Sequence, residues 1–192
     1  MIEIFLKEKK KSQVWVETAI YTLIGLTIMA IVLSIAIPQI EKARERGVIK
    51  QTIAALNDLN KEIQRVEQTA GTRKIVDFKI SKGKLEINGD DDKITYTLEN
   101  TKLEYSEKGK RLKIGDLFYE TKEYGRRFNL IIELDYGPEE VTDPPSPPKL
   151  DIRYDNENKK RTLHGSALYK IQIENGGSDD VNLPTIIDFS VG

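Results

Sequence analysis

The chain has 192 residues, 39% of them hydrophobic and 32% charged, with 30 basic side chains against 31 acidic ones. A balance this close argues against a nucleic-acid binder that works through a global basic field. With no cysteine and a single histidine, His164, the composition excludes a disulfide framework, a thiolate zinc site, a CxxC redox pair and a cysteine nucleophile, and leaves little acid–base capacity near neutral pH.

The first element is apolar. Thr18 to Ile40 is a run of 23 residues without a charge. As a helix rising ~1.5 Å per residue it spans roughly 35 Å, enough for a hydrocarbon core of about 30 Å. Lys7, Lys9, Lys10 and Lys11 precede it, whereas Lys42, Arg44 and Arg46 on the far side are mixed with Glu41 and Glu45. The purer basic cluster places the N-terminus in the cytoplasm and the bulk of the chain outside. A secretory signal peptide is one reading, with Ser34-Ile35-Ala36 as a small-x-small site, but the apolar core exceeds the usual ~7–15 residues. A plain single-span anchor is a second reading. A third is prompted by Glu17, a carboxylate at the edge of a membrane helix, which is costly there and usually signals a partner.

The run Lys9-Lys10-Lys11-Ser12-Gln13-Val14-Trp15-Val16-Glu17 with the uncharged helix behind it resembles the class III signal of type IV pilins, in particular archaeal pilin-like proteins. The resemblance covers residues 7–40. It implies a leader at 1–12, cut by a prepilin peptidase between Ser12 and Gln13. Glu17 then becomes the fifth mature residue, where the family carries a glutamate; Ser12 stands where glycine is commoner. By family, the expected partners are further copies of the chain, the peptidase, an assembly ATPase and a membrane platform protein. The precursor would sit in the cell membrane and the product in an extracellular filament. Physical chemistry gives Glu17 a role in that picture. Cleavage leaves an α-amino charge on Gln13, and burying it or Glu17 alone is expensive. In a staggered stack of parallel helices each compensates the other, so Glu17 sets axial register, as a buried polar residue does in coiled coils. Snorkelling of Glu17 to the headgroups is the plainer alternative.

The helix is predicted over 13–71, with residues 18–40 in the membrane. Its second half is amphipathic: Ile49, Leu56 and Ile63 recur every seven residues, Thr52, Leu59 and Val66 interleave, and Ile53 lies beside them. Pro38 lacks the N–H and clashes with the preceding turn, so it kinks or loosens the helix. Gly71 supplies a left-handed stop. From residue 72 the period becomes two. Val76-Phe78-Ile80, Leu85-Ile87 after Lys82-Gly83, Ile94-Tyr96-Leu98 after Asn88-Gly89, Leu103-Tyr105, Leu112-Ile114 and Phe128-Leu130-Ile132-Leu134-Tyr136 read as half-buried antiparallel strands. They give a β head over 72–136.

Residues 137–149 hold five of the seven prolines and read as an extended linker, able to reach about 40 Å at ~3.1 Å per residue and so to cross the head in one pass. Beyond it, 150–192 carries three more strand patterns, at Leu150-Ile152-Tyr154, Tyr169-Ile171-Ile173 and Ile187-Phe189-Val191, with a turn at Asn175-Gly176-Gly177-Ser178. Such a short piece is marginal alone, so it is expected to complete the first sheet or to form a second layer on it; a small immunoglobulin-like appendage is the alternative. The fold class is thus α+β, a long helix followed by an antiparallel sheet or sandwich.

Chemistry is sparse. Asn88-Gly89-Asp90-Asp91-Asp92 has calcium-type oxygens but not the EF-hand spacing, and reads as an acidic hairpin turn. His164 reads as a turn residue. Lys108–Lys113 and Arg126-Arg127 read as solvated strand edges. No catalytic, metal or cofactor residue is expected, and no Asn-x-Ser/Thr acceptor is present. The expected function is a structural subunit of a pilus-like surface filament. The alternatives are a membrane-anchored β binding module and a minor pseudopilin of a secretion system.

Overall fold

The computed structural model describes residues 2–138, 147–178, 180 and 183–192, and the side chains from Trp15 onward. The chain forms two compact units, Met1–Arg44 and Glu45–Gly192. The described residues make one helix and ten strands. Helix α1 spans Ile2–Glu67. It therefore begins well before the predicted residue 13, and it runs on through Pro38. It ends four residues earlier than predicted.

In the second unit the α1 stripe is the core face. Ile49, Leu56, Leu59 and Ile63 are fully buried and belong to one apolar cluster with both sheets. The helix end is fixed from the far end of the sequence. Asn175 Nδ2 donates to the carbonyls of Val66 and Glu67, at 2.9 Å each, and Gly71 N donates to Asn175 O at 2.9 Å. Gly71 has φ +77°, the left-handed conformation that glycine tolerates. Carbonyls that a helix end leaves unpaired are thereby satisfied.

The strands are β1 (Arg73–Ile80), β2 (Lys84–Asn88), β3 (Lys93–Thr101), β4 (Arg111–Ile114), β5 (Leu117–Tyr124), β6 (Arg127–Asp135), β7 (Leu150–Tyr154), β8 (Lys160–His164), β9 (Ala167–Gly177) and β10 (Thr185–Val191). They form a four-stranded sheet, β1-β9-β10-β7, and a six-stranded sheet, β4-β5-β6-β3-β2-β8. All pairs are antiparallel except β7 with β10. β1 and β2 lie in different sheets, and the corner at Gly83 has φ +87°, where an added Cβ would meet the Thr97 carbonyl at 2.5 Å.

Strands from 150–192 enter both sheets, β8 pairing with β2 and the other three forming the second sheet with β1. They are part of one head and not an appendage. The two ends of the proline-rich segment lie side by side. Lys149 N donates to Tyr136 O at 2.7 Å, so the chain returns to where it left; residues 139–146, with Pro144 and Pro145, lie outside the described residues.

Other expectations are corrected. Leu103-Tyr105 is not a strand: Thr101 and Lys102 turn to bond Glu45, which ends the ladder. Asn175 is no turn residue but the buried partner of Ile187 inside β9. Arg127 opens the interior strand β6, whose hairpin with β5 closes at Tyr124↔Arg127. His164 ends β8, next to Gly165 at φ +84°.

Candidate functional site

The candidate surface is the apolar segment of α1. From Trp15 to Ile40 its large side chains are all exposed, Trp15 at 76% and Tyr21 at 71%. Consecutive exposed apolar residues such as Leu23-Ile24 and Ile31-Val32-Leu33 put grease on every side, since each residue turns the helix by 100°. A helix apolar all round belongs in a bilayer or a protein interior. Three of its hydroxyls bond back to the helix backbone. Thr22 and Thr27 donate to the carbonyls of Thr18 and Leu23, both at 2.8 Å, and Ser34 donates to Ile31 O at 2.7 Å. These bonds leave little to solvate in hydrocarbon. The helix is long and apolar enough to cross a membrane.

The residues singled out from the sequence all lie on α1. Ser12 and Gln13 fall within it, their side chains outside the described set. Glu17 is exposed on the same face of the helix as Tyr21 and Ile24, at i+4 and i+7. Pro38 lies near the end of the apolar segment. Nothing in these positions brings Glu17 and Pro38 together.

In the head, polar side chains serve the fold. Glu45 Oε2 accepts from Thr101 Oγ1 at 2.8 Å and from Lys102 N at 2.9 Å, and Oε1 accepts from Lys82 Nζ at 3.1 Å. Burial pushes its carboxyl up, but the Lys102 N–H, the Thr101 hydroxyl and the Lys82 ammonium outweigh burial and hold it below the ordinary carboxylate value. Asn60, a polar break in the stripe, donates to Asp116 Oδ2 at 2.9 Å and accepts from the Tyr136 hydroxyl at 2.7 Å. Burial drives the Tyr136 phenol well above its usual range.

The acidic turn after β2 is also structural. Asn88 Nδ2 donates to Asp91 Oδ2 at 2.6 Å, Asp90 N donates to Asn88 Oδ1 at 3.0 Å, and Asp92 Oδ1 accepts from Ile152 N at 2.8 Å. Among the described residues no three His, Asp or Glu side chains gather to hold a metal ion. The basic run at β4 is more organised than a solvated edge. Arg111 lies 3.9 Å over the Phe118 ring and bonds both Glu133 and Asp135 at 2.5 Å. The sequence marks Asn60 only as a polar residue inside an apolar period, reads Asn175 as a turn residue, and gives no signal for Glu45.

Comparison with protein-family models, with curated proteins and with solved structures gives no match.

Proposed function

We propose that this chain is a pilin-like structural subunit of an archaeal type IV surface filament. It is held in the membrane by its apolar helix, cut between Ser12 and Gln13, and assembled by bundling that helix with further copies. The observation that carries the reading is the Trp15–Ile40 surface, apolar on every side and with the hydroxyls of Thr22, Thr27 and Ser34 bonded back to the helix. Lysines before it and Glu17 at its edge distinguish it from a featureless anchor. A lone bilayer span needs no carboxylate at that depth, whereas a stack of copies uses one to select register.

On this reading the β head is the outer layer and Glu17 meets the new α-amine of a neighbouring copy. Extraction of a helix from lipid into a bundle costs little in apolar transfer, because both environments are apolar. Selection between registers then falls to the few polar groups. The test is the mass of the mature N-terminus. A chain beginning at Gln13 is expected. A protein found only at full length in the membrane, with residues 1–12 attached, overturns the proposal in favour of a membrane-anchored β module.

A further inference from the structure

The core face of the six-stranded sheet runs one strand beyond what covers it. The register Leu112↔Tyr119 and Ile114↔Leu117 puts Leu112 and Ile114 on the same face of the hairpin as two core residues. Tyr119 and Leu117 are 3% and 1% exposed, yet Leu112 is 38% and Ile114 61% exposed. Tyr105 continues the patch, stacked on Tyr119 with ring centroids 5.8 Å apart and itself 42% exposed. The opposite face of β4 carries Arg111 and Lys113, both over the Phe118 ring. β4 therefore has the two-sided pattern of a strand with one dry face, and that face is bare.

The helix next to this patch has two unlike flanks. The Asn60–Asp116 bond identifies the flank turned toward the β4–β5 turn. At 100° per residue, Ile53, Asn57 and Gln64 fall on the same flank as Asn60, and from 53 to 64 it carries no charge. The other flank faces β1 with Asp58, Lys61, Glu62 and Arg65, and Glu62 pairs with Lys74 of β1. An uncharged helix flank beside a bare apolar sheet edge makes a seat for one more helix, since packed helices lie about 8–10 Å apart.

We infer that this seat, formed by Leu112, Ile114, Tyr105 and the Ile53–Gln64 flank of α1, receives the apolar helix segment of a second copy of this chain. The occupant follows from complementarity. The seat's apolar side chains and uncharged helix flank suit an apolar partner, its one neighbouring charge, Asp116, being bonded by Asn60, and the chain itself carries a 23-residue uncharged segment whose large apolar side chains are exposed. The contact joins the helix of one copy to the head of the next, and such a head-to-tail contact builds an open helical assembly when its rotation does not close on itself. The inference rests on the filament reading and adds to it a head surface that helps to set how each copy is placed on its neighbour.

The test uses cysteine pairs in full-length chains, which have no cysteine of their own. Two variants are co-expressed in the native membrane, one with Ile114→Cys and the other with a single cysteine at Leu23, Leu26, Met29 or Val32, and then oxidised. At one or more helix positions the mixed disulfide should exceed the same helix cysteine paired with Ile75→Cys by roughly tenfold, as a docked contact raises local concentration over collision. Ile75 is a fair control because it is exposed to the same 61% but lies on β1. Helix-to-helix disulfides with no link to Ile114→Cys at any position overturn the seat and leave the filament reading intact. Ile114→Cys joined to itself overturns the seat in favour of a two-fold head contact. Loss of both kinds of link overturns the filament reading as well.

Discussion

Removing the Glu45 carboxylate should unlock α1 from the end of β3. Glu45→Ala takes an acceptor from the Lys102 N–H and from the hydroxyl of Thr101, a residue that is fully buried. Each unsatisfied buried donor costs about 1–3 kcal/mol. Two facts moderate the sum. Thr101 Oγ1 also accepts from Leu103 N at 3.1 Å, so the hydroxyl keeps one partner. Lys82 is 46% exposed, so its ion pair adds at most about 1 kcal/mol. The expected loss is about 3 kcal/mol, which lowers Tm by about 6–12 °C for a unit of this size. Glu45→Gln keeps one acceptor and the shape, and should lose about half as much. The assay is thermal unfolding of the head by circular dichroism, on full-length protein in mild detergent. It carries a pH arm. A carboxylate held below its unfolded value of 4.5 contributes stability that is full above that value and is lost as pH falls through the folded one. The gap between wild type and Glu45→Gln should therefore be constant near neutrality and should close on acidification. A loss under about 1 kcal/mol for the alanine variant, or a gap unchanged from about pH 7 to about pH 3, refutes the assignment.

Three further outcomes are expected. Asn175→Ala removes both bonds to the helix end and should cost about 2–4 kcal/mol, with hydrogen exchange rising first at residues 66–72. Asp188→Asn should stabilise the head at neutral pH, because burial, with added repulsion from Asp155 and Glu174, outweighs the Asn156 N–H and raises the Asp188 carboxyl above its ordinary 3.8; the ionised form is penalised above the folded value, so the gain should vanish well below pH 3.8, and a pH-independent difference in unfolding would count against it. Glu17→Ala should leave the head's melting temperature unchanged but abolish or misregister filaments in electron micrographs, and normal filaments would show that Glu17 does not select register.

Legibility from sequence tracked the density of the apolar period. The second half of α1 was plain because Ile49, Leu56 and Ile63 recur on one face, and all three are buried. β5 is not legible because its inward positions are Leu117, Tyr119 and Thr121, and a buried threonine looks like a polar interruption. β8 turns a single apolar residue, Leu163, fully inward, too little to show alternation. Leu103-Tyr105 has the alternation without the strand, because the Glu45 carboxylate, 57 residues before Lys102, takes over the backbone there. Asn175 was hidden in a glycine-rich run that mimics a turn. Of the functional surface, the apolar segment of α1 was fully visible, since composition alone defines it. The bare face of β4 was not: Leu112 and Ile114 alternate as they would in any covered strand, and only the packing around them tells that the cover is missing.

The pairing of β1 with β9 has a consequence for how the head comes into being. Arg73 waits for Glu174, 101 residues later, and the helix end waits for Asn175. Contacts this distant form slowly, after a large loop-closure entropy has been met. An N-terminal stretch emerging from a ribosome or a translocon therefore has no complete second sheet to fold against. Until β9 arrives, Phe78 and Ile80 lack the strand that pairs with theirs, and a chain stopped short of residue 167 should be taken by proteases as unfolded, however firmly its first helix is held.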